Sequence, residues 1–142
     1  METSTKKTIT VETTINAPIE KVWEFWTKPE HIINWNNASD DWHTPKVEND
    51  LKVGGGFLSR MEAKDGSAAF DFVGKYEAVQ NHEYIEYTIT DGRRVQINFT
   101  AEQDKTKIVE TFESESTHSI ELQQSGWQAI LDNFKKYVES ND

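Results

Sequence analysis

The feature that most constrains the fold is an apolar stripe close to the end of the chain, in GWQAILDNFKKYVES (residues 126–140). Its apolar members recur mainly at intervals of three and four residues, and they are Trp127, Ile130, Leu131, Phe134, Tyr137 and Val138. This spacing predicts an amphipathic helix, for which residues 116–119 offer N-cap candidates. Gly126 is expected to let that helix approach its neighbour closely beside Trp127. The wide apolar face must be covered, so the rest of the chain has to supply a packing partner.

That partner is predicted to be an antiparallel sheet. Residues 7–15 alternate between apolar and polar side chains, and residues 50–115 lack a helical period. Within the second region the β-patterned runs are 57–63, 69–79, 84–90, 93–101 and 105–113. Turn signals separate successive runs, at Asp65-Gly66, Asn81-His82, Asp91-Gly92 and Gln103-Asp104. Strands joined by such short turns are antiparallel neighbours.

Between the first strand and this meander, the sequence predicts two short helices. Pro18 suits the start of the first helix, and the residue before Pro29 is pushed out of the α region, which ends it. Pro29 opens a second helix that runs through Ile33. Residues 36–50 lack a clear period, and we predict a loop there with a short strand near residues 46–48.

The predicted order is therefore β-α-α-β-β-β-β-β-β-α. We expect an α+β, helix-grip fold, in which a curved antiparallel sheet wraps around the long C-terminal helix and the two short helices close one end. The 142 residues suit a single domain over residues 1–142, because no repeat or linker divides them.

Composition excludes several classes of function. The net charge of −10 would repel nucleic acid and anionic membranes, so neither is an expected partner. The absence of cysteine excludes disulfides, thiolate catalysis and zinc–thiolate sites. No run is apolar and long enough for a membrane span or a signal peptide, and we expect a cytoplasmic protein.

Several segments resemble those of a known family. They are Ala17-Pro18, Val22-Trp23, Trp35, DLKVGGGF (50–57), MEAKDGS (61–67), FDFVGKY (70–76), DGRRVQINF (91–99), residues 106–112 and QQSGWQAILDNFKKYVE (123–139). Together they are similar to the SRPBCC superfamily, also called START-like or Bet v 1-like. Within it they resemble the homologues of the activator of the heat-shock-protein-90 ATPase (AHSA1-like, C-terminal-domain type). The resemblance implies a cavity between sheet and helix, often used for apolar small molecules, and it implies no particular reaction.

Inward-facing apolar side chains form the candidate site. Period two places the strand residues of this set on one face of the sheet, and the helical stripe faces them. We predict that they line a cavity, and they are Trp35, Trp42, Phe57, Met61, Phe72, Tyr87, Phe99, Trp127, Ile130 and Phe134. A pocket of this composition is the usual site for a small apolar ligand. The alternative is a filled core, because an aromatic stripe most often packs.

Two polar residues are candidates for the same cavity. Glu110 lies between Ile108 and Phe112, and if it shares their inward face its buried carboxyl is a potential general acid or base. The alternative, in which Val109 points inward and Glu110 faces solvent, is equally open. His43 follows two aspartates, but the spacing offers no second nearby histidine, so no metal site and no cofactor are predicted.

Three functional hypotheses follow. The leading one is a domain, without enzymatic activity, that binds a small apolar molecule. The alternative is a chaperone-associated interaction module, which would show a filled interior and an exposed apolar patch around Trp35 and Trp42. The third is an enzyme of the cyclase or hydrolase type, which needs polar groups that converge inside the cavity.

Overall fold

The computed structural model describes residues 7–37, 39–115 and 119–141. In chain order its elements are β1 (Thr8–Ile15), α1 (Ile19–Thr27), α2 (Pro29–Trp35), β2 (Trp42–Asn49), β3 (Gly56–Ala63), β4 (Ala69–Gln80), β5 (Tyr84–Ile89), β6 (Arg94–Glu102), β7 (Lys105–Glu113) and α3 (Ile120–Ser140). This is the predicted order. None of the helices in these described ranges combines the length and apolar character that a membrane span requires.

The strands form one curled antiparallel sheet in the order β1-β7-β6-β5-β4-β3-β2. Hairpins connect the successive strands β2 to β7, and β1 pairs with β7. The two edge strands of the sheet are therefore β1 and β2. Helix α3 lies against β1 and the two short helices. The predicted helix-grip fold is confirmed.

Polar side chains of α3 attach the helix to the free edge of β1. They donate hydrogen bonds to the backbone oxygens of alternate β1 residues, from Gln124 to Thr10 (3.5 Å), from Gln128 to Glu12 (3.1 Å) and from Lys135 to Thr14 (2.7 Å). An open edge would otherwise present a row of unpaired backbone groups to another chain. These bonds therefore protect the edge and fix the helix along it.

At its N-terminus, α3 is capped by Ser119, whose hydroxyl accepts a hydrogen bond of 3.1 Å from the backbone N–H of Leu122. This bond satisfies one of the four N–H groups that every helix leaves unpaired at its start. The other predicted cap candidates, at positions 116–118, lie outside the described residues.

An aromatic core cluster forms where the three helices meet the sheet, and it consists of Trp23, Trp26, Trp35, Phe99 and Phe134. The Phe134 side chain is fully buried. Its ring centroid lies 4.9 Å from that of Trp26 and 4.8 Å from that of Trp35, both edge-on. The Trp35 indole N–H donates a 3.0 Å hydrogen bond to the backbone oxygen of Phe25, which joins α2 to α1. Burial of this cluster holds the helices against one end of the sheet.

The segment predicted as a loop over residues 36–50 is more regular than expected. Strand β2 starts at Trp42, and α2 continues past Ile33 to Trp35. The pairing of β2 with β3 shifts register between His43 and Lys46. Such a bulge breaks the period-two pattern, and for this reason the sequence predicts only the end of the strand.

The expected role of Gly126 is wrong. A Cβ atom built there meets no other atom within 4 Å, so the position faces open space rather than a close contact. The contrast is Gly74 in β4, where a Cβ atom would lie 2.5 Å from the Phe57 ring.

These two glycines give a paired prediction. Gly126→Ala should raise the free energy of unfolding by about 1 kcal/mol, because alanine favours the helix and restricts the unfolded chain. Gly74→Ala, the same substitution, should lower it because the Phe57 ring has to move. Urea denaturation of both variants checks the result, and a loss of stability in Gly126→Ala would restore the close-approach interpretation.

Candidate functional site

A cavity of about 310 Å³ lies between the concave side of the sheet and the helices. Its lining comes from α1, α2, α3 and from strands β2, β3, β4, β5 and β7. The volume is roughly twice the ~150 Å³ cavity that holds one benzene molecule, and it falls at the lower end of the ~300–1,000 Å³ typical of ligand pockets. It is large enough for a molecule of about two fused rings.

The attachment of α3 explains the position of this space. The helix is bonded to the β1 edge, whereas β3, β4 and β5 lie on the far side of the sheet. Trp127 reaches from the helix into the gap. Its ring stacks on Phe112 of β7, with the centroids 3.9 Å apart, and meets Phe72 of β4 edge-on at 6.3 Å.

Phe57 forms the centre of the wall on the sheet side. Its ring lies over Gly74 of β4, where only a hydrogen atom leaves room for it. The centroid is 4.7 Å from that of Tyr87, 5.5 Å from Tyr76 and 5.6 Å from Phe72. One absent side chain therefore allows four aromatic rings to form a continuous apolar surface.

The structure brings most of the sequence-predicted residues to this cavity. Those on its surface are Trp35, Phe57, Met61, Phe72, Tyr87, Glu110, Trp127 and Ile130. Trp35 lies in the interior of the protein, because only 4% of its surface is exposed.

Phe99 and Phe134 do not line the cavity. Both are buried in the aromatic core cluster, where Trp26 contacts Phe99 at 5.6 Å and Phe134 at 4.9 Å. Trp26 itself faces the cavity, so its indole stands between that space and the two phenylalanines. Periodicity correctly predicts that both side chains point inward. It does not predict where, along that inward face, the packed core ends and the cavity begins.

Trp42 and His43 also lie away from the cavity lining, at the start of edge strand β2. The Trp42 ring contacts that of Phe70 at 5.9 Å. The His43 side chain is 45% exposed, and its Nε2 atom lies 3.6 Å from a carboxylate oxygen of Glu62. Neither position suits a group that acts inside the cavity.

Further lining residues were missing from the predicted site, namely Trp26, Ile32, Asn36, Val47, Asn49, Ser59, Phe70, Tyr76 and Arg93. A signal existed for Ser59, because it alternates with Phe57 and Met61 on β3. Val47 and Asn49 were hidden because the bulge in β2 obscured that strand.

Glu110 takes the inward phase. Only 5% of its surface is exposed, and its neighbours on the same face, Ile108 and Phe112, are fully buried. The register places it opposite Val11 of β1 and Ile97 of β6, so it is the one carboxyl in an apolar row. Burial raises the pKa of Glu110 to about 8, because water no longer stabilises its charged form. Among the described residues none hydrogen-bonds to this carboxyl group.

Tyr87 and Arg93 share the cavity with Glu110. Burial raises the pKa of Tyr87 well above its usual value, the charge of Glu110 raises it further, and Arg93 lowers it. No hydrogen bond joins the Tyr87 hydroxyl to the described part of the protein. Arg93 directs its Nε atom to Asp91 at 2.8 Å, and its terminal nitrogens bond to no described residue.

Hydrogen bonds join several other polar groups of the lining to one another. The Tyr76 hydroxyl donates to Asn49 Oδ1 at 2.6 Å, and Asn49 donates in turn to the backbone oxygen of Thr27 at 2.6 Å. Asn36 donates to the Ser59 hydroxyl at 3.2 Å. The described residues include no group of three or more histidine, aspartate and glutamate side chains that could hold a metal ion.

Comparison with known proteins identifies the family. A family model described as "Activator of Hsp90 ATPase homolog 1-like protein" matches residues 16–139. The chain belongs to this family. The resemblance noted from the sequence motifs is thereby confirmed. No curated protein matches the chain.

Solved structures of similar proteins align with almost the whole of this AHSA1-like chain. An AHSA1-like protein from Aeromonas hydrophila is 46% identical over 94% of this chain and 93% of its own, with a TM-score of 0.89. Chr148 from Cytophaga hutchinsonii is 57% identical over 94% and 92%, with a TM-score of 0.82. CV1439 from Chromobacterium violaceum, at 23% identity over 94% and 98% and a TM-score of 0.84, shares the fold. Family and fold support a domain that binds a ligand or a partner.

Truncation of aromatic residues should distinguish core from cavity wall. Phe134→Ala should lower the free energy of unfolding by about 3–5 kcal/mol, because it opens a new void in a filled region. Phe72→Ala should lower it by only about 1–2 kcal/mol, because its ring already borders empty space. Chemical denaturation measures both values. Equal losses would mean that the interior is filled.

The pKa of Glu110 makes stability depend on pH. A carboxyl whose pKa rises from 4.5 to about 8 on folding keeps a proton that the unfolded chain has released. The free energy of unfolding should therefore fall as pH rises between these values, by on the order of 4–5 kcal/mol, and level off above pH 8.

Glu110→Gln, which cannot ionise, should lack this contribution and be more stable than the wild type at pH 9. Urea denaturation from pH 4.5 to 9 measures the difference, with the exposed Glu102→Gln as the matched control. If the free energies of unfolding of Glu110→Gln and the wild type differ by the same amount at every pH, that result would contradict the buried position of the carboxyl.

Proposed function

We propose that this AHSA1-like domain binds a small, mostly apolar molecule in the cavity between α3 and the sheet. The supporting observation is an aromatic-walled space of about 310 Å³ that contains hydrogen-bonding groups without partners among the described residues. Apolar surface with a few oriented polar groups is the usual composition of a small-molecule site. A core residue without such a role would be expected to satisfy its polar groups within the protein.

The aromatic wall sets the kind of molecule that fits. Flat or ring-containing groups can stack on Trp127 and meet the edges of Phe57 and Phe72, an arrangement that aromatic pairs prefer. Burial of such a ligand would remove apolar area from water on both surfaces, at roughly 25 cal/mol per Å². The family membership is consistent with this role.

The chaperone-associated alternative rests on the family description and on one surface feature. Its expected patch around Trp35 and Trp42 is only half present, because Trp35 is buried. Phe70, 49% exposed, packs against Trp42 in its place. The cavity of about 310 Å³ that the described residues enclose supports the ligand-binding proposal over one that expects a filled interior.

The enzymatic alternative expects polar groups that converge in the cavity. Glu110 and Tyr87 meet that expectation, whereas His43 lies outside. A single buried carboxyl without an adjacent base or nucleophile supports binding more directly than catalysis.

Titration with naphthalene, indole and decanoate tests the proposal. Binding should change the tryptophan fluorescence, because Trp127, Trp26 and Trp35 line the cavity. Ile130→Phe places a larger side chain in the same space and should weaken binding about tenfold or more. Leu122→Phe, on the exposed face of the same helix, should leave it unchanged.

Isothermal titration calorimetry on the same proteins gives an independent reading of affinity. Two results would refute the proposal: no response from any of the three probes, or equal affinity in wild type and Ile130→Phe.

A further inference from the structure

Three residues of the cavity lining carry hydrogen-bond donors that have no partner among the described residues. Glu110, buried and uncharged at neutral pH, carries an O–H group, and Tyr87 carries another. The terminal nitrogens of Arg93 add N–H groups. All of them can donate a hydrogen bond, although the carboxyl and the hydroxyl can also accept one. Acceptors on the same lining, at Asn49 and Ser59, already receive bonds from Tyr76 and Asn36.

A buried donor without an acceptor is costly, because it has lost its hydrogen bond to water and gained none in return. Water in the cavity can supply an acceptor in the empty protein, but a ligand that displaces the water has to replace it. A purely apolar ligand would leave these donors unpaired, and a cationic ligand would bring further donors toward them. An oxygen acceptor on the ligand satisfies them.

We propose that the ligand of this cavity is a bicyclic or similarly sized apolar molecule with a carbonyl oxygen, which accepts hydrogen bonds from Glu110 and Tyr87 while its rings lie against Trp127 and Phe57. This inference rests on the proposed function and specifies its ligand class. The geometry behind it is the position of Glu110 in an otherwise apolar row, on the cavity surface, with no partner among the described residues.

Glu110 is also the group that makes such binding depend on pH. Its strand neighbours Val11 and Ile97 and the α3 residues Trp127 and Ile130 do not titrate. The other titratable groups of the cavity are Tyr76, Tyr87 and Arg93. Burial raises the pKa of both tyrosines, and a guanidinium stays charged, so none of the three changes state between pH 6 and pH 9. Loss of the Glu110 proton would replace a donor with an acceptor-only carboxylate.

A set of probes on one bicyclic skeleton tests the inference: tetralin, 1-tetralone and 1-aminotetralin, titrated by fluorescence and calorimetry at pH 6.5 and pH 9. For the wild type at pH 6.5, 1-tetralone should bind about tenfold more tightly than tetralin. That preference should fall at pH 9. Glu110→Leu should reduce it to less than threefold at both pH values, and Tyr87→Phe should reduce it in part.

Glu110→Gln is the matched variant, because its amide keeps a donor at every pH. It should retain the preference for 1-tetralone at pH 6.5 and also at pH 9. A merely structural role for Glu110 would change the affinities for tetralin and 1-tetralone equally and would not produce this difference in pH dependence.

The outcomes separate this inference from the proposed function. Equal binding of tetralin and 1-tetralone to the wild type, or a preference unchanged in Glu110→Leu, overturns the carbonyl inference and leaves ligand binding intact. Tightest binding of 1-aminotetralin overturns it too, because Glu110 would then act as an anion for a cation. No binding of any of the three probes, together with no response to naphthalene, indole and decanoate, refutes the proposed function itself.

Discussion

The hydrogen bonds between α3 and the free edge of β1 determine the rest of the architecture. Because Gln128 and Lys135 hold the helix on backbone oxygens of β1, its apolar face covers only one side of the curled sheet. The short helices fill the space at one end through the aromatic core cluster. What stays open is the region in front of β3, β4 and β5, where the cavity lies. A helix centred over the sheet would have closed it.

Placement of a carboxyl inside this space opposes stability. Glu110 occupies a position in β7 whose neighbours are Ile108 and Phe112, and an apolar residue there would complete the row. A folded protein tolerates such a group when its total stability, usually ~5–15 kcal/mol, exceeds the loss, which above pH 8 is on the order of 4–5 kcal/mol. Strain or desolvation of this kind concentrates at sites that bind or react, and for this reason Glu110 carries more functional information than the aromatic wall.

The sequence predicted the element order and the fold, because the period of α3 and the turns of the meander are local signals. It did not predict how α3 attaches to the sheet. Gln128 and Lys135 belong to the polar face of the helix, where side chains ordinarily meet water, so nothing in the pattern distinguishes edge contacts from exposure. For Glu110, the alternation of β7 left both phases open. Periodicity also predicts Phe99 and Phe134 to line the cavity, because it gives the face of an element but not the depth at which packing ends.

Binding of the proposed ligand would be linked to the protonation of Glu110. A molecule that accepts a hydrogen bond from the neutral Glu110 carboxyl binds only that form, and therefore raises its pKa further. The same molecule stabilises the folded chain in proportion to the logarithm of its concentration over Kd. Near pH 8, where the empty protein has lost about half of its protons at Glu110, ligand and proton would bind together. The carboxyl that weakens the empty protein would then add to the stability of the occupied one.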